Sequence, residues 1–256
     1  MRRPVVAANW KMYKSSDDAE QFLQAFAPLW TDKQVEVVIC PSFVALERVT
    51  KMAPALGLVV GAQDVHWEDQ GAFTGEVSAE MLVKAGCSYV IVGHSERRKL
   101  FGEKDEDVGN KARAVFAAGL SPIVCVGETI EERKDGLTAA IVERQLEQAV
   151  RLLSRGQASR LVIAYEPVWA IGTGVTATPA DAALVAGEIR SLLDKFLGPG
   201  AGEEARVQYG GSVKAGNIAG FMESPQIDGA LVGGASLDPA QFADLVNNSL
   251  SLRERA

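Results

Sequence analysis

Glu166 follows a short apolar run, residues 161–163, and is followed at once by Pro167 and further on by Gly172 and Gly174. A buried strand that delivers a carboxylate at its carboxyl end and opens into a glycine-rich loop is how parallel α/β proteins present catalytic groups. Pro167 stiffens the backbone just after the carboxylate and the glycines relax it later, which suits a segment that swings as a unit. Four more apolar runs end in residues of similar character: Asn9 and Lys11, Gly93-His94-Ser95-Glu96, Gly210-Gly211-Ser212, and Gly233-Gly234. Each alone has an ordinary explanation, since one histidine is commonly structural, one lysine solvated and Gly-Gly a turn. Packing explains all five together poorly. Gly211-Ser212-Val213 and Gly233-Gly234-Ala235 leave backbone N–H groups unobstructed, and with the loop near Gly172 they could cradle a phosphate. A small phosphorylated substrate is the expectation.

The elements that must position these residues recur with a plain rhythm. Short β-branched runs lie at 5–6, 35–39, 58–60, 89–92, 123–126, 161–163, 206–208 and 230–232. They are apolar almost throughout rather than alternating, as expected of parallel strands buried on both faces. Helical patterns lie between them, at 17–26, 104–117, 139–153, 179–196 and 239–247. Asp17-Asp18 and Thr178-Pro179 are good helix starts, and Gly198-Pro199-Gly200 is a good stop. Eight strand runs with no long linker favour an α/β fold, a closed (β/α)8 barrel in a single domain over 1–256, in which all strand ends share one mouth. An open sheet usually announces a G-x-G-x-x-G after its first strand, and here Asn9-Trp10-Lys11 stands instead.

The net charge of −7 argues against nucleic acid or an anionic membrane as partner, while leaving a small anionic substrate open. Cys40, Cys87 and Cys125 form no C-x-x-C pair, and reduced, buried thiols in a cytoplasmic protein are expected. The run after Arg2-Arg3 is too short for a signal segment and no run approaches a membrane span. His66, among polar loop residues, reads as a surface group, and no metal-ligand motif accompanies the two histidines.

These motifs resemble the triosephosphate isomerase family. Asn9-Trp10-Lys11, the stretch from Gly71 to Glu76, Val92-Gly93-His94-Ser95-Glu96-Arg97-Arg98, Cys125-Val126-Gly127-Glu128, the stretch from Tyr165 to Gly174, Tyr209-Gly210-Gly211-Ser212-Val213 and Leu231-Val232-Gly233-Gly234-Ala235-Ser236 follow that family's pattern in order. The resemblance covers essentially the whole chain and is most specific around Glu166. It implies a TIM barrel that interconverts dihydroxyacetone phosphate and glyceraldehyde 3-phosphate. Glu166 would be the base and His94 a neutral electrophile. Lys11 would offset the developing negative charge, Asn9 would donate to a substrate oxygen, and Glu96 would organise His94 and Lys11. Gly172, Ser212, Gly233 and Gly234 would hold the phosphate. An aldose–ketose shift of this kind calls for no metal or redox cofactor.

The resemblance also implies a homodimer in which Thr74 approaches the partner's Asn9 and Lys11, while Glu76 and Arg97 could pair across the interface. Two positions depart from the common pattern. Val175 stands where many members carry lysine, and Asp64 stands where an amide is commoner. Asp64 is expected to be partly buried near the dimer contact among neutral partners. The alternatives are another phosphate-binding barrel enzyme or a non-catalytic barrel. A metal-dependent epimerase would want further His or Asp ligands at strand ends, and a Schiff-base lyase a lysine where Glu166 stands.

Overall fold

A computed structural model describes residues 2–31, 33–171 and 176–250. Its strands are β1 (Val5–Asn9), β2 (Glu36–Cys40), β3 (Val59–Ala62), β4 (Tyr89–Val92), β5 (Ser121–Val126), β6 (Val162–Tyr165), β7 (Arg206–Tyr209) and β8 (Gly229–Val232). Each pairs in parallel with the next, and β8 returns to β1, so the sheet closes as a (β/α)8 barrel. The helices are α1 (Ser16–Phe26), α2 (Phe43–Met52), α3 (Ala79–Ala85), α4 (Ser95–Phe101), α5 (Asp105–Ala117), α6 (Ile130–Lys134), α7 (Thr138–Val150), α8 (Pro179–Leu197), α9 (Ala201–Glu204), α10 (Ile218–Met222) and α11 (Pro239–Asn247).

All eight strand runs form strands, and the five helical patterns correspond to α1, α5, α7, α8 and α11. The starts read at residues 17 and 179 carry real caps: Ser15 and Thr178 accept from the backbone N–H groups of Asp18 and Asp181. Of the six remaining helices, five have seven residues or fewer, too short for a 3.6-residue period to show clearly, while the ten-residue α2 is missing from the helical patterns. Local capping starts some of them, as where Ser78 accepts from Met81 N–H and Thr129 from Glu132 N–H.

Side chains alternate across each strand, so every strand feeds two cores. Val5, Ala7, Val38, Cys40, Ile91, Ile123, Cys125, Val162, Ala164 and Leu231 pack together inside the barrel. Their neighbours, such as Val6, Ala8, Ile39, Val92, Val124, Ile163 and Val232, pack outward with residues of the helices. This double burial explains the apolar strands. The parity also aims the site residues: 162 and 164 lead to Glu166, and 5 and 7 lead to Asn9. The three cysteines are free and buried. Burial raises the Cys87 thiol to about 12 and those of Cys40 and Cys125 further still, so they act as small apolar side chains.

First residues of three strands meet at the other end of the barrel. Arg206 Nη1 lies 2.5 Å from Glu36 Oε2, Arg206 Nη2 donates to the Tyr89 hydroxyl at 2.6 Å, and that hydroxyl donates to Glu36 Oε1 at 3.1 Å.

Candidate functional site

The strand ends expected to converge do so. Glu166 is 2% exposed at the carboxyl end of β6. Its backbone N–H donates to Val126 O at 2.7 Å, and Gly210 N–H donates to Tyr165 O at 2.7 Å, so the ends of β5 and β7 flank it. A Cβ on Gly127 would lie 1.8 Å from the Glu166 carbonyl oxygen, and one on Gly210 would lie 2.8 Å from Glu166 Cγ. Only glycine fits on either side. The carboxylate accepts from Ser95 N–H at Oε2, 2.9 Å, and lies 3.1 Å from His94 Nε2 at Oε1.

His94 caps α4, and its Nδ1 accepts from Glu96 N–H at 3.2 Å. A backbone donor at Nδ1 requires a lone pair there, which places the proton on Nε2, the nitrogen that faces Glu166. Glu96 Oε1 lies 2.6 Å from Lys11 Nζ, and Glu96 Oε2 lies 3.7 Å from His94 Nδ1. Lys11 has φ 51°, a left-handed conformation that non-glycine residues seldom adopt. Two contacts hold it there: Asn9 Oδ1 accepts from Lys11 N–H at 3.0 Å, and Gln63 Nε2 donates to Lys11 O at 2.9 Å. The same Gln63 nitrogen also reaches Cys40 O at 3.0 Å.

Asn9, Lys11, His94 and Glu166 line a cavity of about 260 Å³, whose far wall is Gly211, Ser212, Gly233 and Gly234. Gly233 leaves room for the lysine, since a Cβ there would lie 3.3 Å from Lys11 Cε. A short 3-10 turn, Gly234–Ser236, follows it, and Ser236 Oγ donates to Val232 O and Gly233 O at 3.1 and 2.7 Å. A larger cavity, about 550 Å³, opens behind Glu166 against Ser95, Cys125, Gly127, Gln145 and Trp169. The smaller one holds the convergent polar groups that chemistry needs. Gly172 and Val175 lie outside the described residues.

Residues 4–249 match the family described as Triosephosphate isomerase. The chain belongs to that family. It is 52% identical over 247 residues to the triosephosphate isomerase of Moorella thermoacetica, covering 96% of this chain and 99% of that one. It is 51% identical to the triosephosphate isomerase of Symbiobacterium thermophilum over the full length of both. The enzyme of the same name from Carboxydothermus hydrogenoformans is 50% identical over 251 residues, 98% of this chain and 100% of that one.

Within this triosephosphate isomerase framework, several residues that the sequence reading left without a role shape the site. Ser95 contributes a backbone N–H, Gln63 an inward-facing amide, and Gly127 and Gly210 the slot for Glu166. Glu128 is fully buried and accepts from the Tyr165 hydroxyl at 3.1 Å and from Trp169 Nε1 at 2.8 Å, with Arg133 3.7 Å away. It anchors the start of the segment after Pro167. Burial, with Glu128 adding to it, pushes the Tyr165 hydroxyl far above the usual range.

Two expectations need correction, those for Asp64 and His66. Asp64 is buried, but its partners are charged: Lys111 Nζ at 2.7 Å and Arg97 Nε at 2.8 Å. Strand parity turns Gln63 inward and Asp64 outward, under α5, where Lys111 waits. Arg97 Nε also lies 2.8 Å from Glu103 Oε2, so that nitrogen is held within its own chain and only the rest of the guanidinium could serve a partner's Glu76. Thr74 and Glu76 are exposed. His66 is half-buried and not a simple surface group. Its ring lies 4.5 Å from that of Trp67 and 4.2 Å from that of Phe73, and it stiffens the loop that carries Thr74.

Proposed function

We propose that this protein interconverts dihydroxyacetone phosphate and glyceraldehyde 3-phosphate through an enediolate, with Glu166 and His94 moving the protons. Glu166 takes a proton from the carbon beside the carbonyl and returns it to the neighbouring carbon. His94 donates from Nε2 to the carbonyl oxygen and recovers a proton from the other oxygen, so no net proton is lost. A carboxylate base with a neutral histidine is the established pairing for triosephosphate isomerases. Lys11 and Asn9 stabilise the oxyanion, Glu96 orients Lys11, and Gly172, Ser212, Gly233 and Gly234 hold the phosphate. Covering the phosphate with the segment that begins at Pro167 would exclude water and disfavour its elimination.

The observation that carries this reading is the 3.1 Å approach of His94 Nε2 to Glu166 beside the 2.6 Å Lys11–Glu96 pair, around one small cavity. Residues 1–256 are read as one domain that acts in the cytoplasm. Among the described residues no helix is long and apolar enough to cross a membrane. A homodimer is supported by the family resemblance and by the exposed tip of the loop that carries Phe73 and Thr74. A coupled assay of glyceraldehyde 3-phosphate conversion on purified protein, without added metal, tests the activity. No conversion would leave a non-catalytic barrel or another phosphate-binding enzyme.

A further inference from the structure

The place of Glu166 depends on its neighbours at the strand ends, because a cavity of about 550 Å³ lies behind it. Gly127 makes the closest approach, its missing Cβ position lying 1.8 Å from the Glu166 carbonyl oxygen. Gly127 is itself gripped from outside the barrel. Gln145, 6% exposed on α7, accepts from Gly127 N–H through Oε1 at 2.7 Å and donates to Gly127 O through Nε2 at 3.2 Å. A primary amide carries donor and acceptor side by side, as a peptide does. Past the end of β5 it replaces a strand partner.

We propose that Gln145 is a positioning residue for the isomerisation: by fixing Gly127 it fixes the Glu166 backbone, and so the reach of the carboxylate to the reacting carbon. This rests on the reading of Glu166 as base. Gln145 borders the cavity behind Glu166 and not the one that would hold substrate, so its loss leaves the phosphate-binding groups in place. Misplacing a catalytic group by about 1 Å costs on the order of 100-fold in rate.

Gln145→Met keeps the length of the side chain and removes both hydrogen bonds. Its kcat is expected to fall about 10- to 100-fold, with KM for glyceraldehyde 3-phosphate within about twofold of the parent. The same substitution made in Glu166→Asp should cost less than about threefold, because the carboxylate is already displaced. Losses that multiply, or a raised KM with kcat unchanged, would overturn the proposal. Circular dichroism accompanies both proteins. If the Met variant does not fold, Gln145→Asn, which keeps the amide one methylene shorter, is expected to fold with reduced kcat, and full kcat there would overturn it. Full turnover by Glu166→Asp would instead remove Glu166 as base, a result distinct from a fully active Gln145→Met beside an impaired Glu166→Asp.

Discussion

At the amino-terminal end of the barrel Glu36, Tyr89 and Arg206 close on one another, within 2.5 to 3.1 Å. At the carboxyl end Glu166 and His94, and Glu96 and Lys11, also lie within hydrogen-bonding distance in pairs, yet Glu166, His94 and Lys11 border a hollow of about 260 Å³. Similar residue types serve opposite ends. At the floor, charges brought out of water meet partners that are permanent, so they hold strands together. At the mouth, the groups are placed by backbone donors from Ser95 and Glu96 and by Lys11, whose left-handed backbone costs stability, and reactive atoms are left facing a space. Removing a residue should therefore cost activity at one end and stability at the other.

Lys11→Met should have the largest effect. Loss of the cation beside the anionic intermediate is expected to remove ~3–4 kcal/mol of transition-state stabilisation, with the barrel still folded by circular dichroism. A folded and fully active variant would mean that backbone dipoles alone hold the charge. Glu166→Asp comes next: kcat should fall on the order of 100-fold with KM nearly unchanged, because the carboxylate is withdrawn by one methylene. Turnover within about twofold of the parent would shift the base elsewhere.

Arg206→Met tests the floor. Among the described residues Glu36 would keep only Tyr89 as a side-chain partner, and unfolding stability should drop by about 2–3 kcal/mol, less than for a fully buried pair. Steady-state kcat at 25 °C should not change, and a change would mean that floor and mouth are coupled.

The smallest effect concerns Asp64, two residues beyond the carboxyl end of β3 and turned away from the mouth. Burial raises its carboxyl above the usual range, against the pull of Lys111 and Arg97. A folded value above the unfolded one, about 3.9, supports the fold fully only below that unfolded value. The support is lost as pH rises through the folded value. The ionised group therefore costs stability at pH 7. Asp64→Asn, which still offers an oxygen to Lys111, should raise Tm modestly at pH 7 and change it little near pH 4. A lower Tm at pH 7 by calorimetry would show attraction to the two cations outweighing burial.

The chain's apolar runs and glycine clusters determined the eight strands, their order and the mouth where Asn9, Lys11, His94, Glu166, Ser212 and Gly233 meet. These follow from local signals: strands buried on both faces must be apolar, and a parallel barrel sends all carboxyl ends the same way. What only the tertiary structure decided is which group meets which. Asp64 met cations because strand parity and the docking of α5 placed Lys111 beneath it, and neither is written near residue 64. Ser95 acts through a backbone N–H that every residue but proline carries. Gln145, in the middle of an amphipathic helix, looks like any polar residue on a solvated face. Only the packing of α7 against the end of β5 turns its amide onto Gly127, and no local pattern encodes that contact, although it spans just 18 residues.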